Sequence, residues 1–527
     1  MSSAVGDARA AQHRRRRRIA ESHGLLPQPP DDAEKYAYVR RHLSVLMAGS
    51  LVSFACLAVS QVLFTASSPW FWLTTPLLAL VVADYLISLY LDGLSKDFDL
   101  KAHKALVAGW RPAAHPSVDV FLPVCGEPLE VLHNTWVHVN RLAGTYRGEV
   151  NVYVLDDAAD SEVGAMARDF GFRYVVRPDR GWFKKAGNLH HAFGITGGEH
   201  ILILDADFAP RADLLDELLP YLDADERVGI VQSPQFFRIT DRQNWIERGA
   251  GAVQEQFYRS VQTSREGKDG SICVGSCAVY RRSALAQIGG ITLVEHSEDM
   301  YTGFDLRALG WKLRYVPVAL STGVCPDTAG AFHNQQYRWC MGSLELLTGR
   351  RFWELDLRFQ TRLCYVSGFL YYLQTALATF VTPLIPLALL VLRPDLLRAE
   401  NSLWVLPSVA YVTLLLPLWH RAPYRLEAWA VRLMYGWSHV FAVWDVLRGR
   451  PMGWKPTGSQ GAKKNGMRRY WTGMIVWTGG TAVLWVLIAA WRMLTLYPPD
   501  FALMLSAGLF YALVVGRVLV RPRERTA

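Results

Sequence analysis

Along the chain, apolar and polar stretches alternate on two length scales. On the longer scale a polar head gives way to an apolar run, Leu43 to Thr65, which is of spanning length because about 20 residues cross a bilayer. Pro69 breaks it, and a second run follows from Phe71 to Leu91. Asp84 falls inside that run, so it must face protein or lie near an interface. The apolar pattern returns from Tyr365 to Leu392, where Pro383 and Pro386 are placed to kink a helix, and in a shorter run from Trp404 to Leu418. Two further spans cover Tyr470 to Ala490 and Phe501 to Val520. This predicts six spans, two before the polar middle and four after it. Glu427 to Leu447 mixes charges with aromatics and reads as a helix lying in the membrane interface.

On the shorter scale, the polar middle from about Asp97 to Asp356 alternates brief apolar runs with helical stretches. Val118–Leu122, Val150–Leu155, Phe172–Val176, His200–Leu204 and Val228–Gln232 read as buried strands. The alternation predicts a mostly parallel, doubly wound α/β sheet. Ligands of such sheets bind beyond the carboxyl ends of the strands. Two of these strands run into paired aspartates there, Asp156-Asp157 and Asp205-Ala206-Asp207.

The domain organisation follows. Residues 1–38 are polar, Arg-rich and predicted disordered; 39–96 hold two spans; 97–345 form the α/β domain; 346–447 hold interfacial and spanning helices; 448–469 form a polar loop; 470–527 hold two spans and a short basic tail. The 527 residues carry a net charge of +9, with basic runs at Arg14 to Arg18, at Lys463, Lys464, Arg468 and Arg469, and in the tail. Each run lies beside an apolar span, where the positive-inside bias explains it, so no nucleic-acid partner is expected. With Arg14 to Arg18 in the cytoplasm, an even span count puts the α/β domain there too, in a multi-pass plasma-membrane protein. Of seven cysteines, Cys273 and Cys277 are closely spaced, but no second Cys/His pair accompanies them, which argues against zinc and for reduced thiols. No cleavable signal peptide is evident, because the first apolar run is too long for one.

The candidate chemistry lies in four ordered motifs: Asp156-Asp157, Asp205-Ala206-Asp207, Glu298-Asp299, and Gln335-Gln336-Tyr337-Arg338-Trp339. A departing nucleoside diphosphate develops negative charge, which a divalent metal on one or two carboxylates neutralises. Asp205 and Asp207 suit Mg²⁺ or Mn²⁺, and Arg338 adds a fork of donors to the same phosphates. Sugar transfer to an alcohol needs a base, and Asp299 is the candidate. Trp339 offers a face on which a sugar ring stacks, and Lys185-Ala186-Gly187-Asn188 lets the backbone approach a ligand closely. Each motif alone has a plainer reading as a solvated turn, a helix cap or an amphipathic helix. Their joint occurrence in this order, between membrane spans, is far more specific.

These residues resemble the family 2 processive glycosyltransferases of the cellulose synthase type. The likeness runs from about Val118 to Met341 and includes Glu127-Pro128, Val154-Leu155-Asp156-Asp157, Lys185-Ala186-Gly187-Asn188-Leu189, Leu204-Asp205-Ala206-Asp207, Gln235-Phe236-Phe237, Ser297-Glu298-Asp299 and Gln335 to Trp339. It implies a GT-A-type, Rossmann-like domain inserted between transmembrane helices. The activity implied is processive, inverting polymerisation of a UDP-sugar, UDP-glucose first, into cellulose or a related β-glucan that passes through the protein's own helices. By the same resemblance, Asp156 and Asp157 contact the uridine part with Glu127 nearby. Lys185, Asn188 and Glu298 join the substrate site, Asp205 and Asp207 hold the metal, and Asp299 deprotonates the acceptor. Gln335, Arg338 and Trp339 bind the diphosphate and the terminal acceptor sugar. Trp454 to Asn465 resembles the family's gating loop, with Thr457 as its candidate substrate contact. The implied partners are a UDP-sugar, the growing polysaccharide, the bilayer and accessory export subunits. No PilZ-type domain is expected, hence no control by cyclic di-GMP through one.

Two stretches depart from the family pattern. Val124-Cys125-Gly126 stands where Thr-Tyr-Asn is usual, and Cys273-Val274-Gly275-Ser276 only partly matches Phe-Cys-Gly-Ser. A product other than cellulose (curdlan, mixed-linkage glucan, mannan, chitin or hyaluronan) would be written there. A non-catalytic channel or scaffold predicts missing carboxylates, and none of the expected ones is missing.

Overall fold

The computed structural model describes residues 26–67, 72, 75–93, 95–449 and 464–519. Seven strands form the main sheet: β1 (Val118–Val124), β2 (Val150–Asp156), β3 (Arg173–Val175), β4 (His200–Ile203), β6 (Val228–Gln232), β7 (Ala278–Arg281) and β8 (Lys312–Tyr315). Two short strands, β5 (Ala209–Pro210) and β9 (Ser321–Thr322), pair beside it. The sheet order is β3-β2-β1-β4-β7-β6-β8, and only β7 runs antiparallel to its neighbours. All five strands expected from the apolar runs are present. β7 and β8 had too little apolar contrast to stand out: AVYR and KLRY each carry a basic residue.

Both faces of the sheet are covered, which is why its strands read as continuous apolar runs. Val120, Leu122, Val152 and Val154 pack on one side against Leu132, Trp136 and Leu218. Phe121, Tyr153, Leu155 and Ile203 pack on the other against Leu189, Leu285 and Leu306. The parallel register pairs Val124 with Asp156, and the amide of Asp157 donates to the Val124 carbonyl at 2.9 Å. β4 lies on the other flank of β1, with the Leu204 amide donating to Phe121. Three neighbouring strand ends therefore present Glu127, Asp157 and Asp205 side by side.

The N-terminal segment departs from expectation. Residues 26–38, expected to be disordered, wrap onto the α/β domain. Lys35, 6% exposed, reaches Asp213 at 2.7 Å and Glu217 at 2.6 Å, and Glu217 in turn meets His103 at 2.7 Å. Arg211 donates to the Pro30 carbonyl and Arg238 pairs with Glu34. The composition of the segment is polar, but its charges find fixed partners on the domain, and that overrides the compositional signal.

Among the described residues, five helices are long and apolar enough to cross a membrane: α1 (Leu43–Ser67), α2 (Thr75–Gly93), the tandem pair α9 (Phe359–Val381) and α10 (Leu384–Leu392) as one span, α12 (Lys464–Thr495) and α13 (Pro498–Leu519). The expected sixth run gives only a shorter apolar helix, Leu406–Trp419, with a π-turn at Tyr411–Leu415. Pro407 and Pro417 remove backbone donors within it. The mixed stretch forms α11 (Leu426–Leu447), whose Ala428, Val431, Tyr435 and Ala442 are buried between the domain and the spans.

Candidate functional site

The two aspartates after β2 have separate fates. Asp156 is fully buried and its carboxylate is used inside the fold: Ala158 and Asp160 amides donate to it at 2.8 Å, as does the Tyr174 hydroxyl. It shapes the turn and does not line the cavity, so the expected ligand contact from Asp156 has no geometric support. Asp157 does line the cavity. Arg177, 1% exposed, grips it in bidentate fashion, Nε at 2.6 Å and Nη2 at 2.7 Å. The same guanidinium donates to the Trp182 and Lys184 carbonyls at 2.7 and 3.1 Å. Arg177 thus ties the strand end to the turn before α4 (Lys184–Ile195). That turn holds Phe183 and Lys184 at φ 43° and 51°, a backbone cost borne because neighbours fix it. Gly187 follows, where a Cβ would collide with the Trp182 carbonyl and Arg177. Sequence reading missed Arg177; the one available signal was a basic residue shortly after a strand, between the two motifs.

Asn188 is 2% exposed and donates to the Leu155 carbonyl at 2.8 Å, pinning α4 to the end of β2. Glu127 accepts from the Cys125 amide at 2.6 Å, and burial, opposed by that amide, raises its carboxyl above the usual range. Asp205 and Asp207 follow β4. Burial and the charge of Asp205 push the Asp207 carboxyl up to about 7. Lys185 lies against Asp205 at 2.5 Å, with Glu298 at 3.6 Å and the Gly275 carbonyl at 3.2 Å. Burial works against its charge, but those carboxylates hold its ammonium above its ordinary value.

Asp299 opens α7 (Glu298–Ala308), after Ser297 in a left-handed conformation. Burial first, then the charge of Glu298, pushes its carboxyl up to about 7, with Lys185 opposing. Gly275, at φ +73°, lets the backbone of the Cys273–Ser276 stretch come against this carboxylate. Ser276 anchors that stretch by accepting from the Asp205 amide at 3.0 Å. The variant stretch therefore touches both the Asp205 motif and Asp299.

Gln335, Arg338 and Trp339 lie on one face of α8 (Ala329–Thr348) and line the same cavity. Burial lowers the Arg338 guanidinium from its usual value. The cavity, about 1830 Å³, begins at Cys125, Glu127 and Asp157, passes Asp205, Asp299 and Trp339, and continues between the membrane-type helices. There it is lined by Tyr371, Tyr372 and Gln374 of α9, by Arg432 and Tyr435 of α11, and by Asp84 of α2. The walls mix aromatic faces with polar groups throughout this part. Thr457 and the loop around it lie outside the described residues.

Asp205 and Asp207 offer hard oxygen donors at a cavity wall, and the raised Asp207 carboxyl marks negative charge that a cation would relieve. Among the described residues no cluster of three or more His, Cys, Asp or Glu side chains forms a closed metal cage. Two carboxylates with open positions fit a Mg²⁺- or Mn²⁺-type ion that completes its shell with substrate oxygens and water.

Residues 200–420 match the family described as Glycosyl transferase family group 2. The chain is 32% identical over 296 residues to Cellulose synthase 2 of Novacetimonas hansenii, covering 54% of this chain and 18% of that protein. It is 29% identical over 310 residues to the UDP-forming cellulose synthase catalytic subunit of Pseudomonas fluorescens, covering 58% and 42%. The chain thus spans less than half the length of these curated relatives. Among solved structures, a mannosyltransferase of Pyrobaculum calidifontis in complex with GDP-Man and Mn²⁺ superposes with a TM-score of 0.49 at 16% identity, over 70% of this chain and 98% of that one.

Proposed function

We propose that this chain, which carries a glycosyltransferase family 2 domain, is a processive inverting β-glycosyltransferase that polymerises a UDP-sugar and moves the polymer across the membrane. UDP-glucose is the proposed donor, and cellulose or a related β-glucan the product. The observation that carries this is the single cavity joining the strand-end carboxylates to Asp299, Trp339 and the membrane-type helices. A polymerase must keep its acceptor end beside the site after each addition, and a continuous conduit does that.

The chain's own residues divide the work. Asp157, held by Arg177, and Glu127 meet the nucleoside end of the donor. Lys185 and Arg338 face the diphosphate. Asp205 and Asp207 would hold a Mg²⁺ or Mn²⁺ ion, which would neutralise the charge that develops on the leaving diphosphate. Trp339 stacks the terminal acceptor sugar, and Gln335 orients it. Asp299 takes the proton of the acceptor hydroxyl as that oxygen attacks the anomeric carbon from the face opposite the diphosphate. The anomeric C–O bond to UDP breaks, its electron pair leaves with UDP, and the new bond has inverted configuration. The catalytic domain faces the cytoplasm, where nucleotide sugars are made.

The test is purified protein in vesicles with labelled UDP-glucose, UDP-N-acetylglucosamine or GDP-mannose, and digestion of the product with linkage-specific glycanases. Polymer from UDP-glucose that a β-1,4-glucanase degrades supports the reading. Incorporation from GDP-mannose alone, or transfer that stops at one sugar, overturns it.

A further inference from the structure

The helix that carries Gln335, Arg338 and Trp339 has a second face with polar chemistry of its own. Positions 335, 338 and 339 share the cavity side of α8. On the other side Tyr337, Cys340, Met341 and Leu344 pack with Ala442 of α11. Tyr337 is 2% exposed and sits between Gln336 and Arg338. Its hydroxyl donates to Oδ2 of Asp445, near the end of α11, at 2.8 Å. The same oxygen accepts from the hydroxyl of Tyr470 in α12 at 2.5 Å. Asp445 is 7% exposed, so this is a buried carboxylate answered by phenols from two different helices. Rings fill the space around it: Phe441 and Tyr470 lie 4.3 Å apart, and His333 lies 6.1 Å from Tyr470. One turn before Tyr337, His333 Nδ1 shares a 2.7 Å hydrogen bond with Ser438 of α11.

We propose that Asp445 is a positioning residue for sugar transfer: by accepting from Tyr337 and Tyr470 at one oxygen, it fixes the rotation of α8, and so the placement of Arg338 and Trp339, against α11 and α12. This rests on the glycosyltransferase reading above. Burying a carboxylate costs free energy unless its acceptor capacity is met. An apolar residue would pack these three helices equally well, but it would fix no particular rotation. Two donors converging on one oxygen give the junction a single preferred geometry. A helix of this size rotated by a small angle moves its outward side chains by roughly an ångström, enough to spoil an attack geometry. Most of the donor end is built on β1, β2 and β4, away from this junction, and Arg338 is the α8 side chain that faces the diphosphate.

The prediction is therefore a partition effect. When the acceptor hydroxyl is misplaced while most donor contacts are kept, water competes for the activated sugar. Tyr470→Phe, Tyr337→Phe and Asp445→Ala are compared in vesicles with UDP-glucose, measuring polymer formed, free glucose released and the KM for UDP-glucose. Tyr470→Phe removes one hydroxyl and keeps the ring, so it serves where Asp445→Ala fails to fold. We expect polymer kcat to fall at least about tenfold in each Phe variant, the loss of one hydrogen bond to a charged group, with free glucose rising as a share of turnover and the donor KM rising, through Arg338, by less than kcat falls. The double Phe variant should lose no more than Asp445→Ala, because all three act through one oxygen. Wild-type partition in a folded Tyr470→Phe protein, or losses that multiply beyond Asp445→Ala, overturns the positioning role. A rise in donor KM in place of the partition change does so as well. A wild type that transfers sugar from no nucleotide donor overturns the glycosyltransferase reading and this role together, whereas a working wild type with unaltered Phe variants overturns this role alone.

Discussion

Gly275 leaves the space that Asp299 occupies: a Cβ on Gly275 would lie 2.6 Å from Asp299 Oδ2 and 3.0 Å from its Cβ. Gly275 also sits at φ +73°, which a residue with a side chain rarely adopts. Gly275→Ala should push the Asp299 carboxylate off its position. We expect polymer synthesis to drop about a hundredfold, as for a displacement of roughly an ångström at a reacting group. Stability should fall by only about 1 kcal/mol, the scale of Ala forced into a left-handed site. UDP release and a thermal melt on the same sample separate the two, and equal activity with a lowered melting point would refute the link.

The raised Asp299 carboxyl gives the pH dependence a definite sign. Its value of about 7 lies above the ordinary carboxylate value, so the protonated form, which accepts no proton, predominates below that pH. kcat/KM should rise through a limb centred near pH 7, changing about tenfold per unit on the acid side. Asp299→Asn should abolish transfer while leaving UDP binding within about twofold, since it keeps the shape and removes the base. A profile flat from pH 5 to 8 (a range about two units below and one above the limb) would sink the base assignment.

Arg177 should matter although it does not itself carry out any chemistry. Lys cannot reproduce its bidentate grip on Asp157 together with two carbonyl contacts. Arg177→Lys should raise the KM for UDP-glucose about tenfold, with a smaller change in kcat, and lower stability by about 1–3 kcal/mol. Steady-state kinetics with a melting curve checks both, and an unchanged KM would show that Asp157 needs no clamp.

Metal removal should stop the reaction reversibly. Chelation should abolish polymer synthesis, and Mg²⁺ or Mn²⁺ should restore it. Asp205→Asn and Asp207→Asn should each require at least about tenfold more metal for half-maximal activity, because each removes one of the two charged donors that the described residues offer. Full activity in excess chelator would remove the metal from the scheme.

The N-terminal strap gives a stability prediction. Lys35→Met leaves Glu217, with 10% of its side chain exposed, without that cation, while Asp213, 34% exposed, keeps Arg211 at 2.8 Å. His103 still answers one oxygen of Glu217, so the loss should be about 2–4 kcal/mol and less than for a carboxylate left wholly unpaired. A melting point that does not move would show the strap to be loosely held.

How far the sequence reached, and where it stopped, follows from the range of the forces involved. The strands at Val118, Val150, His200 and Val228, the spans and the acidic pairs at the strand ends were legible because each depends on periodicity or length within one segment. Parallel strands also put their carboxyl ends at one edge, so the carboxylates were bound to cluster there. The division between Asp156 and Asp157 was not legible. Adjacent residues at a strand end point opposite ways, and which one faced the cavity depended on Tyr174 and Arg177 arriving from elsewhere. The strap at residues 26–38 was misread because its polar composition says nothing of the buried carboxylates waiting on another helix. The stretch at Leu406–Trp419 comes from the shortest of the apolar runs, and its helix falls below the length that crosses a membrane. The sequence by itself determined which residue types gather at the strand ends. Only the tertiary structure decided that Asp157 faces the cavity and Asp156 the turn, that Gly275 makes room for Asp299, and that one cavity joins them to the membrane helices. Those are contacts between segments far apart in the chain, set by packing and not by any local pattern.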